Sequence, residues 1–106
     1  MIEPVTVGEI ISQYEKHGWI LRRALLSEEN KNVLAEKASS IDVEVSDLDA
    51  LWFSRRSNPE SEAWELRRLT GSPFALVAVI SSDATSDEVD ATLAQVADEM
   101  RAKTIA

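Results

Sequence analysis

The sequence contains no cysteine. Disulfide bonds, thiolate metal sites and cysteine nucleophiles are therefore excluded. The chain of 106 residues, 44% of them hydrophobic, is long enough to bury a core without such cross-links. We expect residues 1–106 to form one globular domain, and a chain without cysteine is compatible with a cytoplasmic location.

Long hydrophobic runs are absent too. The longest apolar segment covers residues 74–80, whereas a membrane-spanning helix needs roughly 18–20 residues. The first residues, MIEPVTVGEIISQYE, include acids and lack the basic segment that precedes the apolar segment of a signal peptide. These features predict no membrane association, and they favour a buried strand at 74–80.

Basic residues are in the minority. The chain has 11 Lys and Arg against 19 Asp and Glu, which gives a formal net charge of -8. Proteins bind the phosphate backbone of nucleic acids largely through clustered positive charge. We therefore expect this acidic domain not to bind nucleic acid.

Glycine and histidine are scarce, with three copies and one copy respectively. The glycines are isolated, so they cannot build the glycine-rich loop that cradles a phosphate group. His17 has no second histidine or cysteine as a partner, so it cannot form a histidine-based metal set. Its position near the end of a predicted helix suits a contact with the helix dipole. We assign no catalytic residue to the chain.

The acidic residues are densest between positions 42 and 49. Carboxylates bind Ca²⁺ or Mg²⁺, but the glycine and the bidentate glutamate of an EF-hand loop are missing here. A strand with one solvent-facing side that leads into a turn explains the same residues without a ligand: Asp42, Glu44, Asp47 and Asp49. We therefore assign no metal ion and no cofactor.

Helix signals occur near both ends of the chain. Residues 6–9 and 85–88 match the capping box, in which a threonine and a glutamate bond each other's backbone amides. These boxes predict helices at about 6–17 and 86–101, the first of which ends at Gly18. The second helix has an apolar stripe that we expect to be buried, formed by Val89, Leu93, Val96 and Met100.

Ser27, followed by two glutamates, predicts a further helix at about 28–38. Strands are predicted where apolar residues alternate with polar ones or run together: 19–25, 41–45, 50–56, 63–69 and 74–80. The segment 63–69 also has helix signals, because Asn58 and Pro59 precede it and arginines end it. Its alternation favours a strand.

This order of elements predicts an α+β fold. We expect a small antiparallel or mixed sheet of about four or five strands, with a meander over residues 50–80. Two or three helices are expected to pack on one face of that sheet.

Each of the three tryptophans is followed, three and four residues later, by a pair of arginines: WILRR at 19–23, WFSRR at 52–56 and WELRR at 64–68. Side chains alternate along a strand, so a tryptophan and the second arginine of its pair are expected on one face. In neighbouring strands, that face would carry Trp19, Trp52, Trp64, Arg23, Arg56 and Arg68, and the other face would carry Arg22, Arg55 and Arg67. Converging arginines predict an anion-binding site, because a guanidinium pairs with carboxylate or phosphate through two parallel hydrogen bonds.

The same pattern has a structural interpretation. Tryptophans are common in cores, and arginines mark the strand ends where the chain returns to solvent. We favour a small, non-catalytic binding or adaptor module that contacts a partner protein through an exposed sheet face or edge. The alternative is a small-molecule or anion-binding domain, or a minor enzyme, with an arginine-lined pocket.

Overall fold

A computed structural model describes residues 3–32, 34, 41–70 and 75–105 of the protein. In these residues, two helices flank five strands in the chain order α1 Pro4–Lys16, β1 Ile20–Leu26, β2 Asp42–Val45, β3 Ala50–Asn58, β4 Ser61–Arg68, β5 Ala75–Ser81 and α2 Ser86–Ile105. The strands form one sheet, and the predicted α+β class is confirmed.

The sheet is mixed, with the strand order β2-β1-β3-β4-β5. β1 and β2 pair in parallel, and the other described pairs are antiparallel. The predicted meander over residues 50–80 is confirmed, because β3, β4 and β5 are consecutive in the chain and adjacent in the sheet. β4 is a strand as its alternation predicted: Trp64 and Leu66 are buried on one face, and Glu65 and Arg67 lie on the other. Burial of one strand face therefore outweighed the helix signals around it.

Each helix covers a different face of the sheet. Along β3, Leu51 and Phe53 belong to a core cluster that includes Val7 of α1. Trp52 lies between them and belongs to a second cluster that includes Leu93 of α2. The prediction that the helices pack on one face was wrong. The first half of β3 is buried at consecutive positions, and a strand that is apolar on both sides requires cover on both.

The two predicted capping boxes had different outcomes. At α2, the Glu88 amide donates to Thr85 Oγ1 at 3.2 Å and the Thr85 amide donates to Glu88 Oε1 at 3.3 Å, so this box is confirmed. The box predicted at residues 6–9 was wrong, because α1 begins at Pro4 and has no side-chain cap. The fixed φ and missing N–H of proline suit the first turn of a helix. Gly18 follows α1 with a φ of 85°, as its predicted role requires.

The apolar stripe of α2 packs on the sheet. Leu93, Val96 and Met100 are buried as predicted, and Val89 is partly buried beside them. Within the described part of the chain, neither helix combines the length with the apolar character that crossing a membrane requires.

The helix predicted at 28–38 was wrong over its described part, since residues 28–32 and 34 form turns. The turn begins at Ser27, whose backbone amide donates to Asp49 Oδ1 at 2.8 Å and whose carbonyl accepts from the Asn30 amide at 3.0 Å. The long-range bond to the carboxylate holds the chain in a turn where a local N-cap would have started a helix. Residue 33 and residues 35–38 of this prediction lie outside the described residues.

Candidate functional site

The first tryptophan–arginine motif is interrupted by a β-bulge. Leu21 lies opposite Phe53 and Arg23 lies opposite Trp52, so Arg22 is an extra residue in β1. A bulge of this kind places two residues of one strand against one residue of its partner, and it shifts the alternation of the strand by one position. The alternation of side chains between the two faces is therefore interrupted at Arg22.

The bulge separates Trp19 from Arg23. Trp19 packs with the α1 cluster, whereas Arg23 Nη2 lies 2.7 Å from Asp90 Oδ1 on α2. Arg22, which was expected on the opposite face from the tryptophans, places its guanidinium carbon 5.4 Å from the ring centre of Trp64, on the α2 side. The predicted facing was wrong for Trp19 and Arg22, whereas Arg23 does share the α2 side with Trp52 and Trp64. Trp19 and Arg23 lie on different faces because the regular alternation does not continue through the bulge.

The other two motifs keep the predicted alternation. Arg56 and Arg68 occupy β3 and β4 positions on the same face as Trp52 and Trp64, and Arg55 and Arg67 occupy positions on the other face. No bulge falls between the tryptophan and the arginines in either strand, since the irregularity in this pair lies after Arg56. The facing rule was therefore confirmed for these two motifs.

The second arginines of the three motifs do not converge. In the β3–β4 register, Arg56 lies opposite Glu62, whereas Arg68 lies opposite Ala50 at the other end of β3. Six residues of extended strand separate these two positions, which corresponds to roughly 20 Å. Arg23 lies between them, opposite Trp52. The predicted convergence of Arg23, Arg56 and Arg68 was wrong, and the predicted anion site loses the geometry on which it depended.

The tryptophans and several of the arginines in these motifs have structural partners. Trp52 and Trp64 are buried and meet edge to face, with ring centres 6.3 Å apart. Arg55 lies over the ring of Trp19 at 5.0 Å and donates from Nη1 to the carbonyl oxygen of His17 at 2.8 Å. These contacts support the interpretation of the motifs as core residues and strand ends.

A cleft of about 340 Å³ lies beside Arg22 and Arg23, next to the start of α2. Its lining also contains the acids Glu62 and Asp90. Because Arg23 is already paired with Asp90, and the two acids balance the two arginines, the cleft offers an anion little net attraction. The alternative function, which needs an arginine-lined pocket, therefore gains no support from the charges of this cleft.

The acids between positions 42 and 49 are dispersed. Asp42 and Glu44 are exposed on β2, Asp47 lies 3.3 Å from Arg101, and Asp49 is buried beneath the Ser27 amide. The described residues contain no group of three or more histidine, aspartate or glutamate side chains that could hold a metal ion.

A polar contact that the sequence did not predict joins α1 to the sheet. Tyr14 donates its phenolic hydrogen to Glu65 Oε2, and its ring stacks on Phe53 with centres 4.0 Å apart and planes 8° from parallel. Burial raises the pKa of the Tyr14 phenol well above its ordinary value, and the hydrogen bond and negative charge of Glu65 raise it further. The position of Tyr14 on the apolar side of α1 was visible in the sequence, but its partner lies 51 residues away.

We expect Tyr14 to ionise only at strongly alkaline pH. It is the single tyrosine of the chain, so the absorbance of tyrosinate reports this residue alone. The E65Q variant should titrate at a lower pH than the native chain but still above an unfolded tyrosine, because burial is the larger cause of the raised pKa. Since the folded pKa exceeds the unfolded one, this contribution to stability is complete below about pH 10 and is lost as the pH rises further. Identical titrations of the native and E65Q chains would contradict the contact.

The edge of the sheet at β5 is an apolar feature that the contacts described above do not explain. Among the described strands, β5 pairs only with β4. Val77 and Val79 are 57% and 66% exposed, and they lie on the α1 side, beyond the area that α1 covers. The prediction of a buried strand at 74–80 was therefore wrong for these residues. An apolar run indicates two apolar faces, but it does not reveal that β5 has a neighbour on one side only among the described strands.

The opposite edge differs in its chemistry. β2 is four residues long and alternates Asp42 and Glu44 with Val43 and Val45. β5 is seven residues long, reads ALVAVIS, and has no charged residue and no proline.

The chain matches no protein-family model, curated protein or solved structure.

Proposed function

We propose that the protein is a small binding module that takes up an extended protein segment as an additional strand along β5. The observation that carries this proposal is an edge strand of seven uncharged residues with two exposed valines. In strand addition, main-chain hydrogen bonds supply affinity and alternate side chains supply selectivity. Natural sheets usually protect an edge with charged residues, proline or a short strand, and β5 has none of these.

The backbone of β5 has bonding groups directed outward. One step beyond the ends of β4 and β5, the Ser82 amide donates to the Glu60 carbonyl at 2.8 Å. Because Ser61 lies opposite Ser81, the donor and acceptor residues continue the register as a hydrogen-bonded pair. In an antiparallel ladder such pairs recur every second residue, so Ala78, opposite Trp64, also directs its N–H and C=O toward β4. Val77 and Val79 therefore direct theirs away from the sheet, next to their own exposed side chains.

The charge pattern of the two edges supports β5 over β2. An added strand at β2 would lie beside Asp42 and Glu44, whereas β5 presents only aliphatic and hydroxyl side chains. An extended apolar segment loses less hydration of charged groups when it pairs with β5. The preferred ligand is therefore a peptide in which β-branched residues alternate.

A peptide selection tests this function. The chain is immobilised at low density, and displayed peptides are selected on it and then tested against the V77K and V45K variants. These two variants are matched, because Val77 and Val45 are 57% and 58% exposed on the two edge strands. We expect peptides with alternating apolar residues that bind the native and V45K chains alike and lose at least about tenfold in affinity for V77K.

Backbone methylation distinguishes strand addition from side-chain contact. N-methylation at alternate residues of a selected peptide should abolish binding, and N-methylation at the intervening residues should leave it intact, because only every second amide faces the partner strand. Peptides that bind V77K as tightly as the native chain, or that tolerate methylation at every position, would contradict the proposed function.

A further inference from the structure

The sequence of β5 is close to a palindrome about Ala78. Reading outward from that residue in both directions gives pairs of matching size: Val77 with Val79, Leu76 with Ile80, and Ala75 with Ser81. Self-association about a two-fold axis brings one surface against an identical one, so the surface has to complement itself. In an antiparallel pairing centred on Ala78, each of these residues would face its match.

We infer that the segment which pairs with β5 is β5 of a second copy of this chain, antiparallel and centred on Ala78. This inference rests on the proposed function, because it names the partner of the same edge. The product is a two-fold dimer in which the two sheets continue into one another. The α1 side of one copy is then continuous with the α1 side of the other.

The alternating direction of the backbone N–H and C=O groups along β5 agrees with a pairing centred on Ala78. Ala78 directs its backbone groups toward Trp64 of its own chain, so the two copies of Ala78 would form a pair without hydrogen bonds. Val77 of each copy would face Val79 of the other and exchange both N–H···O=C bonds with it. A pairing that sets an odd-numbered residue against an even-numbered one would place an outward-directed backbone group against one that is already bonded to β4.

The side chains and the charges of β5 are also compatible with this dimer. The exposed valines of both copies would form one apolar stripe across the joint, on the side that α1 leaves uncovered. The net charge of -8 per chain opposes self-association, but β5 has no charged residue, so no like charges would meet across the strands. A second copy therefore fits β5 without the repulsion that β2, with Asp42 and Glu44, would meet at its own edge.

Oligomeric state is the first test. One pair of strands buries less than a standard interface of about 1,600 Å², so sedimentation equilibrium should cover roughly 5–500 µM. Across that range we expect the mass to rise from that of the 11.7 kDa chain toward twice that value. The V77K/V79K and V77E/V79E double variants should each remain monomeric, because like charges would face each other across the joint. A V43K/V45K control should dimerise as the native chain does.

Mixing the two β5 variants tests the register. In the proposed pairing, lysines of one chain face glutamates of the other, so an equimolar mixture should dimerise although neither variant does alone. Circular dichroism should show that both variants fold, because Val77 and Val79 are already exposed in the single chain. A mixture that remains monomeric would overturn the register.

A single cysteine tests the two-fold axis. The chain has no cysteine of its own, so an A78C variant carries one thiol. Residues in a pair without hydrogen bonds approach to about 4.5 Å between Cα atoms, and A78C should therefore form a disulfide-linked dimer on mild oxidation. V45C is the control and should remain uncross-linked under the same conditions.

The outcomes separate this inference from the proposed function. A chain that is monomeric at every concentration and uncross-linked at position 78, yet binds selected peptides through Val77, would overturn the inference and leave the proposed function standing. A dimer that survives in both double variants would place self-association elsewhere, and the inference would fail. Loss of peptide binding selectivity between V77K and V45K would overturn the proposed function itself.

Discussion

Replacement of Phe53 by alanine should lower the free energy of unfolding by about 3–5 kcal/mol. Phe53 is fully buried at the centre of the cluster between α1 and the sheet. Its ring stacks on Tyr14, so the substitution removes both the buried surface and the stacked pair. The measurement is denaturant unfolding followed by tryptophan fluorescence, with the F53A and native chains compared at the same pH.

Two further variants control for this result. I20A removes an exposed aliphatic side chain from the neighbouring strand and should change the free energy of unfolding by no more than about 0.5 kcal/mol. F53L keeps an apolar side chain at the site and should cost less than F53A, because a smaller cavity is left. A change of less than about 1 kcal/mol for F53A would contradict the packing of α1 on this face.

Replacement of Leu93 by alanine should cost about 2–5 kcal/mol. Leu93 is buried on α2, in the cluster that contains Trp52 and Trp64. This residue tests the second layer of the fold, because the α2 cluster is separate from the α1 cluster around Phe53. Thermal and denaturant unfolding of L93A supply the measurement.

Gln95 provides the matched position for this test. It lies on the same helix but is exposed, so Q95A removes a side chain without opening a cavity. We expect Q95A to unfold like the native chain. Equal stabilities of L93A and the native chain would show that the stripe of α2 does not pack on the sheet.

The α+β class and most elements were predictable because their signals are local. The capping box at Thr85 and Glu88 starts α2, and alternation identifies β4 despite competing helix signals. The error at 28–38 has a different origin: the Ser27 amide bonds to Asp49, which lies 22 residues away. Local capping preferences cannot include a partner that arrives from a distant turn.

The candidate site was less predictable than the fold. The rule that a tryptophan and the second arginine share a face holds in β3 and β4, but it fails in β1 because Arg22 is a bulge residue. A bulge depends on how two strands pair, and a sequence of one strand does not specify that pairing. The position of β5 at the edge of the described sheet was missed for a related reason, because the apolar run at 74–80 is equally typical of a central strand.

By itself, the sequence of this protein determined which described segments form strands and that α2 is a helix. It also determined the absence of thiol chemistry and the near-palindrome of β5. These properties depend on residue type and on spacings of a few residues, which act within one element. Only the tertiary structure decided that the helices lie on opposite faces, that Tyr14 bonds Glu65, and that β5 has one neighbour among the described strands. Each of these depends on which distant segments pair, and that choice is made by the burial of whole faces when the sheet assembles.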